Sequence, residues 1–234
     1  MYRIGIVFIL LCLPFFSPAQ KEGDIWFFAK GIFFDFAGGS PVVGSNAQAV
    51  TNQGSSSISD KNGNLLFYSN GYDLLNRAHL PPQGWNPPLS YAGAGISLQG
   101  VLFLPINDSI VFHFTLHPAV ANPGYGSSVR YDILSSRANN GLGAVISTYH
   151  LLGDSLAQEL AAVRHADGES WWVLTHYTRS DVFVKYHIAT DGTITRSDQQ
   201  IGAVYPPLWD YYTSPLTFNE QGDRFSIAVS QGRF

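Results

Sequence analysis

Histidine is the residue type in this chain that is best suited to metal binding and to proton transfer at neutral pH. The chain has seven histidines, and two of them, His113 and His117, stand four residues apart in HFTLH. The surrounding residues predict a β-strand, in which residues four apart share a face but lie about 13 Å from each other. One ion cannot bridge that distance, so we expect these histidines to occupy separate environments and predict neither a metal site nor another cofactor.

The stretch 164–176 has the highest density of polar and aromatic side chains in the sequence. In a hydrolase, His165 or His176 could act as a general base that Asp167 orients. Asp167 precedes Gly168, however, and an Asp-Gly pair is typical of a tight hairpin turn in which the carboxylate accepts backbone N–H groups. We therefore expect Asp167 to support the turn. The sequence favours a non-catalytic role for this protein.

A calcium loop is an alternative interpretation of DKNGN, in which Asp60, Asn62 and Asn64 alternate. Calcium loops of this type need a later glutamate, whereas this segment continues directly into an apolar strand. Asn62-Gly63 is also a strong hairpin signal, so we interpret the segment as a turn. The chain contains no Gly-x-Ser-x-Gly sequence of the kind that carries a hydrolase serine.

The composition is that of an all-β protein. Charged residues make up 13% of the chain, against a usual value of about 25%, so disorder is not expected. Aromatic residues reach 14%, and 23 glycines and 13 prolines provide many turns. The formal net charge is -4, and the sequence has no cluster of Lys and Arg, which excludes a general nucleic-acid binder.

Residues 1–20, MYRIGIVFILLCLPFFSPAQ, have the pattern of a secretory signal peptide. Arg3 provides the positive charge, an apolar run follows, and Ser17-Pro18-Ala19 provides small residues for cleavage. The apolar run would span about 20 Å as a helix, too short for a hydrocarbon core of about 30 Å. We expect a signal peptide at 1–19, a secreted domain over 20–234, and no membrane span after cleavage.

Cysteine is absent from the predicted mature chain, because Cys12, the only cysteine, lies inside the signal peptide. Leu11, which precedes it, is not the small residue that a lipoprotein site would have. The mature protein therefore has no disulfide, no thiolate nucleophile and no cysteine–metal site. Its stability must come from its apolar core.

Four segments repeat one pattern, in which a short apolar strand, a tight polar turn and an aromatic-rich strand follow one another. They are SSISDKNGNLLFYSNG (56–71), VLFLPINDSIVFHFTL (101–116), LAAVRHADGESWWVLTH (160–176) and PLTFNEQGDRFSIAVS (215–230). Their turns lie about 45, 60 and 54 residues apart. Both alternating faces of these strands are largely apolar, which predicts sheets that are covered on both sides.

Further strands are predicted between these hairpins, at 129–136, 144–152 and 182–197, the last being a hairpin around Asp191-Gly192. The segment 154–164 could form one short helix or a loop that leads into the next strand. A hairpin with one or two outer strands every 45–60 residues is the layout of β-propeller blades. We predict a propeller with about four visible blades; a β-sandwich, with evenly spaced strands, is the alternative.

The last hairpin stops close to Phe234, whereas a propeller must close on itself to protect its edges. We therefore expect a truncated sequence, or a ring that is completed by residues outside it.

Five segments of the mature chain carry a resemblance to known proteins. They are KEGDIWFFAKGIFFDFAGGSPV (21–42), NQGSSSISDKNGNLLFYSNGYDLLNRAH (52–79), VRYDILSSRANNGLGAV (129–145), LAAVRHADGESWWVLTH (160–176) and SPLTFNEQGDRFSIA (214–228). Through these segments the chain resembles a group of bacterial secreted propeller proteins that are associated with gliding motility and type IX secretion. The first block of that group has an Ile-Trp-aromatic-Phe strand, a Leu-Asp-Phe strand and a Gly-Ser-Pro turn.

The resemblance implies an exported propeller scaffold at the cell surface and does not imply a reaction. Proteins of this group often continue into β-sandwich domains and a C-terminal sorting domain, which this sequence does not contain. The sequence also departs from the group at 55–57, where three serines replace a run that often includes cysteine. A second departure is at 219–221, where the group has Pro-Asp.

The predicted binding residues lie in the loops after the second strand of each hairpin, the end at which propellers usually bind ligands. Aromatic and Arg side chains are good interface anchors; they could also cap the loops. The predicted set is Tyr72, Arg77, His79, Trp85, His117, Tyr125, His176, Tyr177 and Arg179.

We predict a non-catalytic scaffold that binds protein or glycan, with the secretion machinery as a second partner. The alternatives are a secreted propeller enzyme, lactonase-like or glycan-active, and a fragment without independent function.

Overall fold

The computed structural model of this chain describes residues 21–28, 31–50, 54–87, 99–121, 126–204 and 215–227. These residues form sixteen β-strands in five antiparallel sheets, which we number I to V in chain order. A 3-10 turn (Lys21–Gly23) and α1 (Ala138–Gly141) are the helical elements of the described residues. The all-β prediction is confirmed.

Every sheet is a meander, in which consecutive strands pair with each other. Sheet I contains β1 (Ile25–Phe28), β2 (Ile32–Asp35) and β3 (Val42–Gly44); sheet II contains β4 (Ser56–Ser59), β5 (Leu65–Ser69) and β6 (Leu74–Asn76). Sheet III contains β7 (Val101–Pro105), β8 (Ile110–Pro118), β9 (Ser127–Ser135) and β10 (Ala144–Leu156). Sheet IV contains β11 (Ala161–Arg164), β12 (Trp171–His176), β13 (Val182–Ile188) and β14 (Ile194–Gln200), and sheet V contains β15 (Leu216–Phe218) and β16 (Phe225–Ile227).

The four predicted hairpins are the first two strands of sheets II, III, IV and V. The strands predicted at 129–136, 144–152 and 182–197 are also present, as β9, β10 and the β13–β14 hairpin. The segment 154–164 is not a helix; β10 ends at Leu156 and β11 begins at Ala161. Sheet I precedes the four repeated hairpins and raises the number of sheets to five.

Side chains of one strand alternate between two neighbouring sheets. In β5, Tyr68 stacks on Phe27 of sheet I with ring centroids 3.9 Å apart, whereas Phe67 packs with Phe103 of sheet III. In β12, Val173 joins a cluster with sheet III and Leu174 joins one with sheet V. This alternation follows from the two-residue period of a strand, and it explains why both faces of the hairpins are apolar.

Four apolar clusters therefore lie between sheets that follow one another in the chain. They join sheets I and II, II and III, III and IV, and IV and V. The first strands of the sheets are also neighbours: β1 contacts β4, β4 contacts β7, and β11 contacts β15. Each large apolar side chain buried in such a cluster contributes about 1.5–3 kcal/mol.

Sheets III and IV approach each other closely at Gly153 of β10. A Cβ atom at this position would overlap the hydroxyl group of Tyr186, which donates a hydrogen bond of 3.2 Å to the Leu152 carbonyl. Burial raises the pKa of Tyr186 to about 12. The missing side chain of Gly153 thus lets a tyrosine on β13 reach the backbone of β10.

The outer strands of sheets III and IV differ in polarity. In β14, six of seven residues are exposed; Arg196 pairs with Asp198 along the strand, and Lys185 of β13 donates to Gln199. In β10, by contrast, Ile146 and Leu151 are exposed.

The predicted signal peptide, residues 1–19, lies outside the described residues. Within the parts of the chain that the structure describes, no helix has the length and apolar character to cross a membrane.

Truncation of a core aromatic residue tests the packing between sheets III and IV. Phe114 of β8 is fully buried in their shared cluster. We expect Phe114→Ala to lower the free energy of unfolding by about 3–5 kcal/mol, because it removes apolar contacts and leaves a cavity. Ile146→Ala in the same sheet changes an exposed side chain and should cost below about 0.5 kcal/mol. Urea denaturation followed by circular dichroism measures both, and equal losses would contradict this packing.

Candidate functional site

The turns of three successive hairpins surround a cavity of about 980 Å³. These turns connect β4 to β5, β7 to β8 and β11 to β12, so the turn ends of sheets II, III and IV converge on one side of the molecule. The residues that line the cavity are Glu22, Ser59, Asp60, Lys61, Asn62, Leu66, Arg77, Pro105, Ile106, Asn107, Asp108, Val111, Ser136, Arg137, Gly141, Arg164, Gly168, Glu169 and Thr190. None of them carries an aromatic ring.

Asp108 lies between two cations at the edge of this cavity. Its Oδ2 atom is 3.3 Å from Nη2 of Arg137 and 3.9 Å from Nζ of Lys61, and all three side chains are about 70% exposed. Exposed pairs of this kind add below about 1 kcal/mol to stability. Their charges are therefore available for contact with a ligand.

Two further arginines line the cavity and are held by backbone carbonyls. Arg77 donates to the Asn140 carbonyl at 3.4 Å, and Arg164 donates to the Glu169 carbonyl at 2.5 Å. The guanidinium of Arg164 also lies 3.9 Å above the Trp171 ring. The lining thus combines four basic with four acidic side chains, which suits a ligand that carries both signs of charge.

A second polar cluster lies beside the cavity, on the β11–β12 turn and β13. His165 Nδ1 is 3.1 Å from Asp167 Oδ2, and Ser170 donates from its hydroxyl to the same oxygen at 2.6 Å. The Ser170 oxygen is also 2.9 Å from Nε2 of His187. The Trp172 ring touches both imidazoles, with centroid distances of 5.7 and 5.0 Å.

Asp167 supports the turn, as predicted. The Ser170 hydroxyl and the backbone N–H groups of Glu169 and Ser170 all donate to its carboxylate and hold the pKa of Asp167 well below its ordinary value. Because the Ser170 proton goes to Asp167, the Ser170 oxygen accepts a hydrogen bond from His187. This is a chain of hydrogen bonds, and it does not activate Ser170 as a nucleophile.

Several of the predicted binding residues lie at the other end of the sheets, away from the hairpin turns. His117 is the next-to-last residue of β8 and is buried, with Nε2 2.8 Å from the Thr115 hydroxyl. His176 ends β12 and is also buried; its Nδ1 donates to the Tyr177 carbonyl, and its Nε2 lies 3.4 Å from Glu159. These partners give both histidines a structural role in this position.

The remaining predicted residues are divided between the two ends. Arg77 lines the cavity, and His79 lies nearby in sequence with Nδ1 3.0 Å from the Tyr68 hydroxyl. Trp85 packs against the cluster between sheets II and III. Tyr72, Tyr177 and Arg179 lie at the end of the sheets away from the hairpin turns. Tyr72 is in the β5–β6 loop, the Tyr177 hydroxyl accepts a hydrogen bond from Arg196, and Arg179 is exposed. Tyr125 lies outside the described residues.

His113 and His117 have separate partners, as the strand spacing indicates. His113 is fully buried, and its Nδ1 atom is 2.9 Å from Asp132 Oδ2. Asp132 also accepts the N–H group of Tyr149 at 2.8 Å. Leaving such a buried hydrogen-bonding group without its partner costs about 1–3 kcal/mol, so this histidine supports sheet III.

Comparison of the chain with protein-family models, with curated proteins and with solved structures gives no match. The resemblance to gliding-motility-associated propeller proteins therefore stays a prediction from the residues.

The sequence did not predict the cavity residues Asp108 and Arg137, and it did not place His187 in the polar cluster with His165 and Asp167. The signal for His187 was present in the strand register, because His187 pairs with Trp172 across β12 and β13, close to the turn that holds His165. The signal for Asp108 was its place in a hairpin turn, since equivalent turns of stacked sheets meet in space.

The carboxylate of Asp154 holds the loop that follows β8 and His117. It accepts the backbone N–H groups of Val120 and Ala121 at 2.8 and 2.9 Å. Burial alone would raise the pKa of Asp154, but these hydrogen bonds and a smaller contribution from Arg130 lower it below the ordinary value of 3.8.

A lowered pKa means that the ionised Asp154 stabilises the fold above pH 3.8 and that this stability is lost as the pH falls through the folded-state pKa. We expect Asp154→Asn to lower the free energy of unfolding by about 1 kcal/mol at pH 7, because one N–H loses its acceptor. The difference from wild type should persist at about pH 5 and shrink at about pH 3. Urea denaturation at the three pH values measures it.

The matched control is Asp35→Asn, which keeps the side-chain oxygen that accepts the Ala37 N–H group. This variant should remain close to wild type at pH 7. A difference for Asp154→Asn that grows as the pH falls would contradict the assignment.

Proposed function

We propose that this chain is a secreted or cell-surface β-propeller scaffold that binds a protein partner in the cavity at its hairpin turns. The observation that carries the binding proposal is the convergence of three successive hairpin turns on one cavity whose lining has both signs of charge. The scaffold has no catalytic role in this proposal.

The order of the sheets supports the propeller arrangement. Each sheet is a meander, and successive sheets share an apolar cluster. The first strands also contact each other between sheets I and II, II and III, and IV and V. In a propeller, the first strands lie around a central channel and the sheets radiate from it. A two-layer sandwich, in contrast, has one core between its layers.

The cavity favours protein over glycan as the ligand. Glycan sites commonly use aromatic rings for stacking on sugars, and none of the described residues that line the cavity carries such a ring. Its exposed side chains, such as Lys61, Asp108 and Arg137, are suited to ion pairs with a polypeptide that carries charged residues of both signs. The predicted signal peptide and the family resemblance support export by a secretion machinery.

Selection from a random peptide library tests this proposal and requires no named partner. The displayed library is panned on the wild-type chain, and the affinities of selected peptides are measured by biolayer interferometry. We expect peptides with both signs of charge, whose affinity falls at least about tenfold on Asp108→Lys, because the reversal places like charges together. Binding should also weaken at high salt.

Two variants act as controls for the position of the site. Glu220→Lys makes the same type of charge change in the exposed turn of sheet V and should leave binding unchanged. Arg179→Ala tests the loops at the far end of the sheets. If Arg179→Ala lowers the affinity of the peptides and Asp108→Lys does not, the binding site lies at the predicted loop residues. Binding to a glycan array, with no binding to any peptide, would contradict a protein partner.

A further inference from the structure

Two imidazoles and a carboxylate meet on the β11–β12 turn and the adjoining strand β13. Ligand atoms of His165, Asp167 and His187 all lie within 4.8 Å of one another. Two ligands of a tetrahedral ion with bonds of about 2.0–2.1 Å are about 3.4 Å apart. The His165–Asp167 distance of 3.1 Å is already close to this value, and the ligand atom of His187 lies within 4.8 Å of both.

We propose that His165, Asp167 and His187 bind a divalent transition-metal ion of the zinc type. Imidazole nitrogen is the ligand that Zn²⁺, Cu²⁺ and Ni²⁺ prefer, whereas Ca²⁺ and Mg²⁺ prefer sets made only of oxygen. Three protein ligands leave one tetrahedral position for water or for a side chain of a partner. The metal site does not depend on the protein-binding cavity proposed above.

The hairpin holds these ligands in place before an ion arrives. His165 donates its backbone N–H to the Ser170 carbonyl at 3.0 Å, and Gly168 donates to the His165 carbonyl at 2.9 Å. The positive φ of Gly168 allows this tight turn. The backbone of His187 is fixed by its pairing with Trp172 in the β12–β13 ladder. Ligands on such rigid elements lose little conformational freedom when the ion binds.

The two histidine rings are also placed in an arrangement that a simple turn does not require. Their centroids are 5.0 Å apart, and the Trp172 ring lies against both of them. Two adjacent imidazole rings offer nitrogen ligands from two strands to one ion. The side chains of His165 and Asp167 are 34% and 46% exposed, so an ion can reach them.

Calorimetric titration with Zn²⁺ tests the site on the purified chain without a polyhistidine tag. After dialysis against a chelator and its removal, we expect one equivalent to bind and the melting temperature to rise. Asp167→Asn keeps a side-chain oxygen for the backbone N–H groups of the turn but weakens the ligand, and His187→Gln removes a ligand. Each should weaken binding at least about tenfold, and Ca²⁺ should not bind.

His150→Gln is the matched control, because His150 is an exposed strand histidine outside the cluster. It should bind Zn²⁺ as wild type does. Equal affinity in wild type, Asp167→Asn and His187→Gln would show adventitious surface binding only and would overturn the proposal. The absence of Zn²⁺ binding in wild type would overturn it as well.

Trp172 provides a second measurement that does not depend on the folding of ligand variants. Paramagnetic Cu²⁺ in the site lies beside this indole and should quench part of the tryptophan fluorescence. In Trp172→Phe that part of the quenching should disappear. Quenching of the same size in Trp172→Phe would place the ion elsewhere and overturn the proposal.

Discussion

Burial of apolar side chains on both faces of each hairpin is the constraint on which this structure depends. A strand such as β5 directs Tyr68 to sheet I and Phe67 to sheet III, so sheet II cannot lose either neighbour without exposing an aromatic ring. The same holds for β8 and β12. Because the mature chain is predicted to have no disulfide, this stacking has to supply the stability that cross-links provide in many exported domains.

The stacking also determines where chemistry is possible. Residues inside the sheets are committed to packing, and buried polar groups there, such as His113 with Asp132, have partners within the protein. The side chains of the hairpin turns do not have to pack between sheets. The turns present Asp108 and Asp167 at the surface, and the connection between β9 and β10 presents Arg137 beside Asp108, while the sheets fix their relative positions. Loops that are held on a rigid scaffold commonly carry binding residues in this way.

Much of the fold could be predicted from local signals. Asn62-Gly63, Asp167-Gly168 and Asp191-Gly192 located their turns, and alternating apolar residues located the strands. Sheet I was found through the resemblance and was not counted among the repeats, since its turn lacks the same signal. The segment 154–164 showed a possible helical stripe, but the pairing of β10 with β9 and of β11 with β12 decided its structure. The candidate site could be predicted less well, because the meeting of turns from sheets II, III and IV depends on contacts between residues far apart in the chain.

The polar outer strand β14 has a consequence for the behaviour of the protein in concentrated solution. An exposed strand edge is a template on which another molecule can add a strand. A molecule that docked on β14 would have to cover Arg196, Asp198 and the glutamines beside them, and it would displace their water without a compensating apolar contact. The polar side chains of this border of sheet IV therefore disfavour association through the edge of β14.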